Sequence, residues 1–155
     1  MKKIVPITLT ALCAAFIFQA RAVEPIDFGS DIYPILRENC LSCHAAPYTD
    51  TRGRLRKPKD GIRLDTPEWV QKGHPKQDGT WETIIVPGNA GASSFYTLTI
   101  LPEDHDDIMP AKGDPLTQEQ TDLIKNWINQ GANYGGFEAP EYVNPRSREA
   151  AEAKG

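Results

Sequence analysis

The first apolar pattern along the chain is a run from Ile4 to Phe18, set behind Lys2 and Lys3 and followed by Ala20-Arg21-Ala22. A charged start, a short apolar body and a small-residue end predict a secretory leader over residues 1–22, cleaved after Ala22. Pro6, Thr8 and Thr10 interrupt the run, and no later stretch approaches the roughly 18 apolar residues a membrane span needs. No membrane span is therefore expected after cleavage. Cys13 follows Leu12 rather than a small residue, which makes it a poor lipid-attachment site, and it is expected to leave with the leader.

Beyond the leader, Ile32, Ile35 and Leu36 recur at helical spacing behind Ser30 and Asp31. The spacing predicts a helix from about Asp31 to Asn39 with Ser30 as its cap. Pro34 falls in the first turn, where its missing N–H has no intrahelical partner to lose. From Ala45 to Asp60 the apolar period stops, and Pro47, Gly53 and Pro58 mark a surface loop. Gly61-Ile62-Arg63-Leu64-Asp65 reads as a short extended piece. Thr66-Pro67-Glu68 gives a cap, a first-position proline and an early acid for a short helix ending near Gly73. Ile84-Ile85-Val86 is a buried run stopped by the Pro87-Gly88 turn, and Ser93 to Leu98 suggests a further short helix. The clearest helix begins at Thr117: Thr117 and Gln120 have capping-box spacing, Leu123, Ile124, Trp127 and Ile128 form one stripe, and Gly131 stops it. Its stripe is expected to bury against Ile32, Ile35 and Leu36. From Pro140 onward no apolar period is sustained, so residues 140–155 read as a polar tail and Ser147 to Gly155 as mobile or marginally helical. Residues 23–139 then form one domain.

Charge narrows the class. The chain carries 17 Lys and Arg against 21 Asp and Glu, and loss of Lys2, Lys3 and Arg21 with the leader leaves 14 basic residues. The mature protein is acidic, which argues against nucleic acid as a partner. Arg52, Arg54, Arg56, Lys57 and Lys59 nevertheless crowd into the polar loop. They read either as a docking patch for an acidic redox partner or as a solvated surface.

The candidate chemistry is concentrated in Cys40-Leu41-Ser42-Cys43-His44. Two thiols three positions apart can each add to a vinyl group of one porphyrin, and the following imidazole can then reach its iron. The same residues also fit a redox dithiol, half of a zinc site or a simple disulfide. A thioredoxin-like dithiol opens a helix after a buried strand, whereas Cys40 follows a helical pattern; a structural zinc site needs a second ligand pair, and His74 and His105 are isolated. Covalent attachment of one haem c through Cys40 and Cys43, with His44 on the iron, is the reading these contrasts leave. Met109 is the only methionine beyond Met1, and it sits beside Pro110 in a loop of Asp104, Asp106, Asp107 and Lys112. A thioether is ordinarily a core gap-filler, but these neighbours make a core position unexpected, which points to a sixth iron ligand. Trp69 and Trp81 are read as core aromatics, with porphyrin contact as the other option; His74 and His105 are expected to be exposed.

These residues resemble small monohaem cytochromes c of the class I fold, and among them the planctomycete-type cytochrome c domain. The resemblance spans about Phe28 to Tyr134. It is carried by Asp31-Ile32-Tyr33-Pro34-Ile35-Leu36 before the cysteine motif, Gly61 to Thr66, Pro87-Gly88 with Ser93-Ser94, Met109-Pro110, and Leu116-Thr117 leading to Trp127-Ile128-Asn129-Gln130-Gly131-Ala132. It implies an all-α fold with crossed N- and C-terminal helices around one covalent haem and an enlarged loop region before the axial methionine. It also implies His44 and Met109 as axial ligands and electron transfer, without catalysis, as the activity. An exported, periplasmic one-electron carrier meeting redox partner proteins transiently is the expectation. Two alternatives stand beside it: a haem domain or subunit of a larger dehydrogenase, and a haem enzyme or gas sensor with a labile Met109, for which His105 is the one histidine close in sequence.

Overall fold

The computed structural model describes residues 24–154. The expected leader, its cleavage after Ala22 and Cys13 lie outside the described residues. The first ordered turn begins earlier than the apolar spacing predicts. Asp27, not Ser30, is the cap: its carboxylate accepts the Ser30 N–H at 2.8 Å, and a wide π-helical turn over Phe28–Ile32 leads directly into α1, Tyr33–Asn39. Starting the turn at Phe28 buries that ring, which an Asp31 start would have left in the approach segment.

The expectation of an all-α, class I cytochrome c-like fold is corrected by what lies between the cysteine motif and Met109. That stretch forms two antiparallel pairs, β1 (Tyr48–Thr49) with β2 (Leu55–Arg56) and β3 (His74–Pro75) with β4 (Trp81–Glu82), among short helices. The result is a small mixed fold. The reason is local: polar, glycine-marked sequence cannot sustain a helical stripe, and tight turns return each strand on its neighbour. Asp50 and Gly53 occupy the first and fourth positions of the β1–β2 turn, with the Gly53 N–H on the Asp50 carbonyl at 2.9 Å. In the β3–β4 turn the Asp78 carboxylate accepts the Thr80 N–H at 2.9 Å, and Gly79 takes φ 83°.

The other helices follow their caps. Helix α2, Pro67–Lys72, starts at Thr66, whose side chain accepts the Trp69 N–H, and stops at Gly73 with φ 83°. A Cβ there would strike the Glu82 carbonyl, so glycine lets α2 and β4 close on each other. Helix α3, Ser94–Thr97, runs on into a 3₁₀ turn over Leu98–Ile100. Helix α4, Gln118–Asn129, carries the full capping box at Thr117 and Gln120, and α5, Arg148–Glu152, is capped by Ser147.

The stripe of α4 is buried mainly against the π turn that precedes α1. Phe28 lies 5.3 Å from Trp127 and 4.7 Å from Tyr134, centroid to centroid, and Trp127 meets Tyr134 edge-on at 5.2 Å. Trp127 is 1 % exposed, yet its indole N–H donates to the Asn133 carbonyl at 2.8 Å, so burial leaves no polar atom unmatched. This aromatic cluster is one half of the core. Ile35, Leu36, Leu41, Leu64, Ile84 and Ile124 continue it toward the cysteine motif.

Candidate haem site

The loop that carries Cys40 and Cys43 is wound by backbone bonds at the end of α1. The N–H groups of Cys40 and Leu41 both donate to the Leu36 carbonyl, at 2.8 and 3.0 Å, and those of Cys43 and His44 both donate to the Cys40 carbonyl, at 3.1 and 2.9 Å. Successive tight turns bring both thiols and the imidazole to one side of the chain. Cys40 is half-buried and Cys43 exposed, and they are not bonded to each other. Burial, with Cys43 beside it, pushes the Cys40 thiol up to about 12.

His44 is buried and its Nδ1 lies 3.3 Å from the Ile62 carbonyl. A carbonyl only accepts, so Nδ1 carries the proton and Nε2 keeps its lone pair for a metal. The backbone fixes this segment as well: the Leu64 N–H donates to the His44 carbonyl at 2.7 Å, and the Lys59 N–H to that of Cys43 at 2.9 Å. The expected extended piece after Gly61 is thus extended at Ile62 but pairs with the cysteine motif instead of a strand. Desolvation in this setting lowers the His44 pKa, which favours the neutral, ligating imidazole.

Cys40, Cys43, His44 and Met109 all line one cavity of about 1190 Å³. Its apolar walls come from separate elements: Leu36 from α1, Ile62 and Leu64 from the paired segment, Phe95 from α3, Leu98 from the following turn, and Ile124 from α4. Met109 is brought there by its own backbone, whose N–H donates to the Leu98 carbonyl at 2.9 Å, and its peptide bond to Pro110 is cis. Two thiols, one committed imidazole and one thioether around an apolar slot fit a covalently held haem. Among the described residues no group of three or more His, Cys, Asp and Glu is placed to hold a metal ion unaided.

The other sequence candidates separate. His105 is exposed, does not line the cavity, and accepts the Asp107 N–H on Nδ1 at 3.0 Å. His74 was expected to be exposed but is half-buried in β3 and lines the cavity. Trp69 and Trp81 are neither core nor cavity wall: Trp81 is 43 % exposed, the rings lie 6.0 Å apart, and the Lys72 ammonium sits 4.2 Å from the Trp69 centroid. A helix and a hairpin each offer one tryptophan, and cations cover what the core does not.

The basic loop lies at the cavity edge, but three of its five cations already have an acidic partner, Lys59 reaching the Asp60 carboxylate at 3.4 Å. Arg54 and Arg56 reach the Asp50 carboxylate at 3.1 and 2.9 Å. The Arg54 N–H, then the Arg56 side chain and the Arg52 N–H, hold Asp50 well below the usual carboxylate range against the cost of its burial. Sequence reasoning passed over Asp50, although an aspartate three residues before a glycine is the signal of this turn. Arg52 and Lys57 have no acidic partner among the described residues.

A scan against protein-family models gives no match, and neither do searches of curated proteins and of solved structures. The functional reading therefore rests on the chain's own residues.

Proposed function

We propose that this chain is an exported, periplasmic one-electron carrier holding one haem c, bonded through Cys40 and Cys43 and ligated by His44 and Met109. The observation that carries the reading is the convergence of these four side chains, three local to the motif and Met109 from 65 positions beyond His44, on one apolar cavity. Bound there, haem supplies a one-electron couple. The protein's part is to position and to insulate. The Ile62 carbonyl orients the His44 ring and makes its ligating nitrogen more basic. Leu36, Leu64 and Ile124 keep water from the slot, and their low dielectric favours the less charged, reduced centre. Methionine in place of a second nitrogen ligand biases the couple the same way. The partner is a redox protein that docks over a small interface and leaves quickly.

Two measurements test this. A denaturing mass spectrum of protein made in cells with a working haem-attachment system should show the chain starting at Val23 plus the mass of one haem. The reduced protein should not take up carbon monoxide at neutral pH. A chain without added haem removes the proposal; a haem that binds carbon monoxide readily removes Met109 as ligand and with it the carrier.

A further inference from the structure

The polar segment after Pro140 returns to the cysteine motif, over a hundred positions earlier in the chain. The Tyr33 hydroxyl on α1 donates to the Pro140 carbonyl at 3.4 Å, and Tyr142 packs partly buried against the core. The Asn144 side-chain amide then donates to the Ser42 carbonyl at 3.1 Å, and the Arg146 guanidinium donates to the same carbonyl at 3.2 Å. Asn144 is 4 % exposed and its own amide oxygen accepts the Arg146 backbone N–H at 3.0 Å, so the Asn144 side chain also holds the backbone that carries Arg146. Ser147, also 4 % exposed, forms an isolated antiparallel bridge with Asp50, the residue that organises the basic hairpin. A polar segment that composition marks as a tail is thus fastened at three points, to α1, to the motif and to the β1–β2 turn.

The central fastening falls on the middle of the attachment motif. Ser42 lies between the two cysteines, its carbonyl has no helical partner, and it takes two donors from the strap. Arg146 reaches further, with Nη2 4.0 Å from the Cys43 sulfur, and both Arg146 and Asn144 line the cavity. The guanidinium is the charged group the strap delivers to the sulfur that would carry a thioether.

We propose that residues 140–147 are a strap completing the haem site, in which Asn144 and Arg146 are positioning residues: Asn144 fixes the turn between the cysteines, and Arg146 raises the midpoint potential through its charge. This rests on the haem reading above. A cation beside the attached group disfavours the more positive oxidised state and leaves the reduced state nearly untouched. Arg146 is exposed, so solvent and salt screen much of the effect.

The test compares the mature holoprotein with Arg146→Gln, Arg146→Lys and Asn144→Ala by spectroelectrochemical titration at low and high salt. Arg146→Gln should keep one covalent haem and shift the ratio of oxidised to reduced protein, at fixed ambient potential, by roughly two- to fivefold toward oxidised. The shift should shrink at high salt, and Arg146→Lys should restore most of it. Asn144→Ala should leave attachment intact and raise protease cleavage within residues 140–147. An unchanged potential in Arg146→Gln, or an equal fall in Arg146→Lys, overturns the charge role; unchanged cleavage in Asn144→Ala overturns the strap. A parent protein without haem fails the reading beneath the proposal, which the mass spectrum separates from either result.

Discussion

Met109 is chemically unusual for its surroundings, a soft thioether between a run of aspartates and a lysine, and it lines the cavity opposite in sequence to the cysteine motif. Replacing it with alanine should leave haem attached, because Cys40, Cys43 and His44 are untouched. The midpoint potential should fall and the reduced protein should bind carbon monoxide stoichiometrically, both read from visible spectra. Asp50 is the second residue whose chemistry has a measurable consequence. Its folded carboxyl titrates well below the ordinary value near 4, first because the Arg54 N–H donates to it. A group depressed in this way stabilises the fold fully above the unfolded value, and that contribution is lost as pH falls from there toward the folded value. Asp50→Asn should therefore lower the urea midpoint at pH 7, and the gap to the parent should narrow below about pH 4.

At the scale of elements, short helices depend on their ends. Helix α4 has twelve residues, and its Thr117 hydroxyl and Gln120 side chain satisfy two N-terminal N–H groups reciprocally. Thr117→Ala should cost about 1 kcal/mol, seen as a lower urea midpoint at an unchanged slope. An unchanged slope matters, because it shows that the same surface is exposed on unfolding. Helix α1 is shorter, and it is held from outside: the π turn over Phe28–Ile32 gives it a first anchor in the aromatic cluster, and the cysteine loop gives it a second at Leu36. The hairpins β1–β2 and β3–β4 are two-residue pairs fixed by their turns and by what packs beside them.

At the scale of the molecule, the core divides around the cavity. The aromatic cluster of Phe28, Trp127 and Tyr134 packs ring against ring, whereas the half lined by Leu64, Ile84 and Phe95 surrounds about 1190 Å³. A covalently held haem stays on the unfolded chain, and burying its apolar faces in this cavity would favour the folded state. Cys40→Ala with Cys43→Ala should therefore give a chain without covalent haem that lacks a cooperative thermal transition by circular dichroism, while the parent shows one. The parts of this design that the sequence determined by itself are those whose signal is local. The two thiols and His44 lie within five residues, the caps at Thr66 and Thr117 lie within one turn of what they satisfy, and Met109 declares itself by its immediate neighbours. The tertiary structure decided what backbone atoms and distant segments do. It chose the Ile62 carbonyl for His44, folded the polar loops into hairpins instead of helices, kept Trp69 and Trp81 out of the core and the cavity wall, and laid Asn144 and Arg146 on Ser42. A carbonyl accepts equally well whatever side chain it follows, and a polar stretch carries no apolar period, so neither a pairing across a hundred residues nor a strap of this kind has a pattern to be read.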